Sequence, residues 1–149
     1  MHRIAQSLCA MAMTMAAATA SAQFANEAVG QMQGTWTAAK AERDGKAAPD
    51  VVGNRLSITG SRFDIRSKGG KLLYSGTYRL DATKKPATID FAHNHGKLKG
   101  KDWKGIYALE GGTLTICDNA VDPGKERPKA FQTKAKSGIV CIDFRRAKS

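Results

Sequence analysis

The chain has 149 residues, with 24 Lys and Arg against 13 Asp and Glu, a formal net charge of +11. That length fits one domain. The charge speaks first to solubility and self-repulsion, which favour a monomer, and only second to acidic partners such as nucleic acid, anionic polysaccharide or lipid headgroups.

Residues 1–22 read as a signal peptide. His2 and Arg3 give a short positive start, residues 4–18 are mostly apolar, and Ala20, Ser21 and Ala22 form a small-x-small cleavage site. The apolar run is short and Ala-rich for a membrane span, and no later stretch is apolar enough to cross a bilayer. Cys9 follows bulky Leu8, where a lipidation signal needs a small residue. The folded domain is therefore expected over residues 23–149, exported to the periplasm or the medium.

Residues 24–33 place Ala25, Val29 and Met32 on one helical face, and Gly34 ends the helix. Such a helix would cap one end of a barrel. Residues 35–43 make a first strand, Asp44-Gly45 turns it, and Pro49 marks a loop. Residues 55–59 and 62–66 alternate around the two-residue turn Gly60-Ser61, with Leu56, Ile58, Phe63 and Ile65 inward. After Gly69-Gly70, residues 71–80 form the longest strand. Leu72, Tyr74, Gly76, Tyr78 and Leu80 share one face, and Gly76 marks a bend. A polar loop leads to a short strand at 87–91, with Ile89 and Phe91 inward, and then to a basic loop from His93 to Gly100. Residues 103–110 and 113–117 flank the turn Gly111-Gly112. A long loop holds Pro123-Gly124, residues 129–133 are a candidate strand, and residues 139–146 end the fold. Eight or nine short strands with local connections make an antiparallel meander, and closure into a barrel removes its edges.

The domain keeps two cysteines. Leu114 and Ile116 form the apolar face of one strand, and Val140, Ile142 and Phe144 that of another, so Cys117 and Cys141 both point outward. An oxidising compartment permits a disulfide between them. It forms only if the two strands are immediate neighbours, and a strand at 129–133 would lie between them.

Several fragments, in order along the domain, resemble a bacterial family of small secreted lipocalin-like domains of uncharacterised function. They are Gly34-Thr35-Trp36, Asp44-Gly45-Lys46, Lys84-Lys85-Pro86 with Ile89-Asp90, Gly105-Ile106-Tyr107, Gly112-Thr113-Leu114, and the run from Pro123 to Pro128. The resemblance implies an all-β, lipocalin-like barrel and export, and carries no activity. The chain is also similar to lipocalins, in which a Gly-x-Trp opens the first strand and an Arg near the end of the last strand packs on that Trp. This similarity assigns structural parts to Gly34, Trp36 and Arg146, the last of which shares the apolar face of its strand.

The leading functional expectation is a noncatalytic binding module that takes a small apolar ligand inside the barrel. Phe63, Tyr74, Tyr78, Phe91 and Leu114 are its candidate lining, although inward side chains of a small barrel also simply fill it. His93 and His95 alternate and could share a metal, with Asp90 as a third ligand; a polar loop tip is the plainer reading. Lys97, Lys99, Lys101 and Lys104 could hold phosphates with Trp103 stacking on a base, against the plainer reading of a solvated hairpin. The loop Lys125-Glu126-Arg127 could hold an anion at the barrel mouth. A basic outer surface could also meet an anionic envelope partner. No nucleophile with a base, no paired acids and no phosphate cradle stands out. No catalytic residue, no cofactor and no specific nucleic acid is therefore expected.

Overall fold

Two-residue turns at Asp44-Gly45, Gly60-Ser61 and Gly111-Gly112 allow nothing but hairpins between the strands they join. The computed structural model describes residues 26–147; the signal-peptide expectation and the start of the expected helix lie outside them. A short helix, α1 (residues 26–32), precedes β1 (Gly34–Arg43), β2 (Lys46–Ala47), β3 (Arg55–Thr59), β4 (Arg62–Arg66), β5 (Leu72–Asp81), β6 (Thr88–His93), β7 (Asp102–Glu110), β8 (Thr113–Asp118) and β9 (Val140–Arg146). From β3 to β9 every strand pairs antiparallel with its successor. β1 pairs with both β3 and β9 and closes an eight-stranded barrel, while β2 is a stub hairpinned onto β1. Closure leaves the barrel wall without a free edge.

One end of the barrel is plugged. Met32 of α1 and Trp36 of β1 are fully buried, and the Trp36 indole Nε1 donates to the Met32 carbonyl at 2.9 Å. The Arg146 guanidinium lies 4.3 Å from the Trp36 ring centroid, a cation–π contact. Its Nη1 and Nη2 donate to the carbonyls of Gln33 and Gln31 at 2.8 and 2.6 Å. Gln33 in turn accepts from the Gly60 amide at 2.7 Å and so staples the β3–β4 turn to the same end.

Two bulges set which side chains face inward at the opposite end. The β1–β9 register shifts between Ala38 and Lys40, so inward positions change from Trp36 and Ala38 to Ala41 and Arg43. The β4–β5 register shifts after Ile65, leaving Leu73 as the extra residue. An extra residue in one strand turns the following side chains to the other face. Leu72, expected inward, therefore lies on the outer wall opposite Arg66, and Leu73 takes the interior. Gly76 serves a close approach rather than a turn. A Cβ there would fall 1.8 Å from the Ala92 carbonyl oxygen of β6.

Residues 129–133 form no strand. Consequently β8 and β9 pair directly, with Cys117 opposite Cys141, and the two cysteines form a disulfide across a Cα separation of 4.0 Å. The connection between them crosses the outside of the barrel and covers a small apolar cluster of Ile106, Cys117 and Ile139. It is tied down at Asn119, which accepts from the Lys104 amide at 2.8 Å, and at the β1–β2 turn, where Asp44 accepts from the Gly138 amide at 2.7 Å. Replacing both cysteines with Ser is expected to cost about 3 kcal/mol, the order set by closing a loop of this size in the unfolded chain. Urea unfolding of the oxidised protein and the double variant measures the difference.

Candidate functional site

The unplugged end of the barrel holds a cavity of about 480 Å³. Its deeper walls are Leu56, Phe91, Ile116 and Phe144, all buried, and its sides are Ile65, Leu73, Tyr74, Trp103 and Ile142. These residues come from seven strands, β3 to β9, because inward positions of every strand converge on the barrel axis. Val51, Ala120 and Val121 rim the mouth, and Val121 is 41% exposed.

The charged groups of the lining, Arg43, Asp50 and Asp118, stand around the opening. Arg43 reaches it because of the β1 bulge and binds Asp50 through two hydrogen bonds, of 2.9 and 3.2 Å. The hydrogen bond from Arg43 holds the Asp50 carboxyl below its ordinary range. Both side chains are well exposed, so the pair positions the 48–54 loop more than it stabilises the fold.

Asp118, the last residue of β8, is the exception to a solvated rim. It is 7% exposed and lines the cavity. It sits opposite Gly105 in the β7–β8 ladder, and a Cβ at Gly105 would come within 2.8 Å of the Asp118 Cβ. The missing side chain on β7 therefore makes room for the carboxyl. Its Oδ1 accepts from the Ala120 amide at 3.1 Å. Burial pushes the carboxyl up to about 7 despite that hydrogen bond.

Of the five residues expected to line a cavity, Tyr74 and Phe91 do so. Phe63, Tyr78 and Leu114 do not. They are buried core residues, and Tyr78 donates its hydroxyl to the Gly60 carbonyl at 2.7 Å near the plugged end. They face inward as their strand periodicity demands, but they lie at levels where the barrel is filled. Trp103, Leu73, Arg43 and Asp118 belong to the cavity and were not among the expected residues. Inward alternation could have found Trp103 and Asp118; bulges hid the other two.

The expected metal ligands do not come together. His93 ends β6 inside the barrel and is 4% exposed, edge-on to Phe63, Tyr74 and Trp103 with ring centroids 4.2–5.9 Å away. Asp90 is three residues back on the same strand, hence on the outer face, where it pairs with Arg127 at 2.7 Å. His95 has left the strand and is exposed at the start of a one-turn 3-10 helix, Gly96–Leu98. Among the described residues no group of three or more metal-binding side chains converges. Burial lowers the His93 imidazole's affinity for a proton. Its Nδ1 lies 2.9 Å from the Lys101 carbonyl, so Nδ1–H donates there and Nε2 is a bare acceptor without a partner.

Trp103 also overturns the base-stacking expectation. Its ring is 5% exposed and faces the barrel interior, away from Lys97, Lys99 and Lys101. Arg127 is not at the mouth either. It lies on the outer wall, donating to the carbonyls of Gly105 at 2.7 Å and Ile89 at 3.3 Å. Compared with family models, with curated proteins and with solved structures, the chain finds no match.

Proposed function

We propose that the protein is an exported, noncatalytic binding module that takes a small, mainly apolar molecule into the open end of its barrel. The observation that carries this reading is the cavity itself: about 480 Å³ walled by aliphatic and aromatic side chains, within the range of small-molecule sites. The opposite end is plugged by Met32 and Trp36, so the ligand enters and leaves by one mouth. The disulfide supports export, since such bonds persist in oxidising compartments. The lipocalin-like fragments of the sequence support the same reading.

Native mass spectrometry of the protein purified from its host compartment tests it. A retained small molecule of apolar character is the expected result. A neutral probe, N-phenyl-naphthylamine, should bind with little dependence on salt and change the fluorescence of Trp103. Ile142→Trp, which fills the cavity from β9, should abolish probe binding. A bare polypeptide that also fails to bind the neutral probe would overturn the proposal.

A further inference from the structure

A second concavity lies outside the barrel, on the wall formed by β5, β6 and β7. It is a trough of about 700 Å³ between the β5–β6 turn and the crossover that carries Arg127. Arg79, Lys84, Lys85, Arg127 and Lys129 line it, against two carboxylates, Asp81 and Asp90. Among the described residues Arg79, Lys84, Lys85 and Lys129 make no ion pair; Asp90 is held by Arg127, and Asp81 accepts from the Thr83 amide at 3.0 Å. Pro86 and Pro128, both half-buried, supply apolar surface between the charges.

We infer that this trough binds a phosphate-bearing ligand. Three features, independent of the cavity, point to it. Cations gathered around a concave, partly apolar surface focus their field there more than the same charges on a convex face. Arg127 is fixed from behind: its Nη1 alone contacts Gly105, Ile89 and Asp90, so Nε and Nη2 keep their N–H groups for a ligand. A guanidinium oriented in this way suits the paired oxygens of a phosphate. Finally, five cations facing two carboxylates leave an excess that a single carboxylate would not neutralise, whereas a phosphate monoester brings close to two charges at neutral pH. The same chemistry is offered by a soluble phosphorylated molecule and by a phospholipid headgroup.

The probe is pyrophosphate, titrated into the uniformly labelled protein and followed by amide chemical shifts. Shifts should concentrate at residues 79–90 and 127–129. Lys84→Ala/Lys85→Ala should weaken binding by about tenfold or more, a loss of some 1.4 kcal/mol. Lys97→Ala/Lys99→Ala removes the same charge from the 3-10 turn and should leave affinity within about twofold. All four lysines are exposed, so both variants should fold. Vesicles of phosphatidylcholine with and without phosphatidylglycerol separate the sources. Retention on anionic vesicles that is lost in the Lys84/Lys85 variant assigns the headgroup; pyrophosphate binding without retention assigns a soluble ligand. Shifts spread over all lysine-bearing surfaces, or equal weakening by the two variants, would overturn the site. Neutral-probe binding in the cavity should be unchanged by pyrophosphate, so the two readings fail separately.

Discussion

Trp36→Ala should lower the unfolding free energy by about 3–5 kcal/mol, the range for removing a large aromatic side chain from a core. The indole is fully buried, and three elements depend on it. Deleting it empties the plugged end, leaves the Met32 carbonyl without its donor, and strips the face on which Arg146 lies. Arg146 then loses its seat while still bridging Gln31 and Gln33. For a domain stabilised by about 5–15 kcal/mol in total, that is a large share. The expected readout is a lower urea midpoint with an unchanged m-value. Trp36→Phe separates the contributions: it keeps most of the packing but loses the hydrogen bond, worth about 1 kcal/mol. Equal losses in the two variants would mean that packing at the plugged end is not what holds it.

The parts of the fold visible in the sequence are those set by local chemistry. Gly60-Ser61 and Gly111-Gly112 fix two hairpins, and alternation around them assigns Leu56, Ile58, Phe63 and Leu114 to the interior, where they are buried. The outward placement of Cys117 and Cys141 was also legible. Their pairing was not, because it depended on residues 129–133. That stretch is largely polar and exposed, and it is held by loop contacts such as the Gly45 amide donating to Thr133 at 2.8 Å. Nothing in its periodicity distinguishes such a strap from a short strand.

The site was harder to read, for a definite reason. Period-2 patterns assume an unbroken ladder, and both strands that shape the mouth break it. The bulge near Ala39 turns Arg43 inward, and the bulge at Leu73 exchanges the faces of two adjacent leucines. Neither leaves a mark in a run such as Thr37-Ala38-Ala39-Lys40 or Leu72-Leu73. Depth along the barrel axis is equally silent. Tyr74 and Tyr78 share a face of one strand, yet one lines the cavity and the other is stapled near the plug.

Asp118 supplies the other large effect, and its sign follows from linkage. Its carboxyl titrates near 7 in the folded protein against an ordinary 3.8. Below about pH 4 both states are protonated and the group has no influence. Between these values the unfolded chain has released its proton while the folded one retains it, so stability falls as pH rises. Above about 7 the loss is complete, up to roughly 4 kcal/mol for a shift of this size, less whatever water in the cavity restores to the carboxylate. Arg43 offers little relief, because its charge is engaged by Asp50. Asp118→Asn keeps the oxygen that accepts from Ala120 and removes the titration. The variant should match the parent near pH 4 and exceed it progressively to pH 8, in urea unfolding at fixed ionic strength. The same substitution bears on the proposed ligand. An apolar guest displaces the water that solvates ionised Asp118, so parent binding should weaken as pH rises through 7, and the Asn variant should bind equally at both ends. Parallel stability curves for the two proteins would show that the Asp118 carboxyl is solvated as fully when folded as when unfolded.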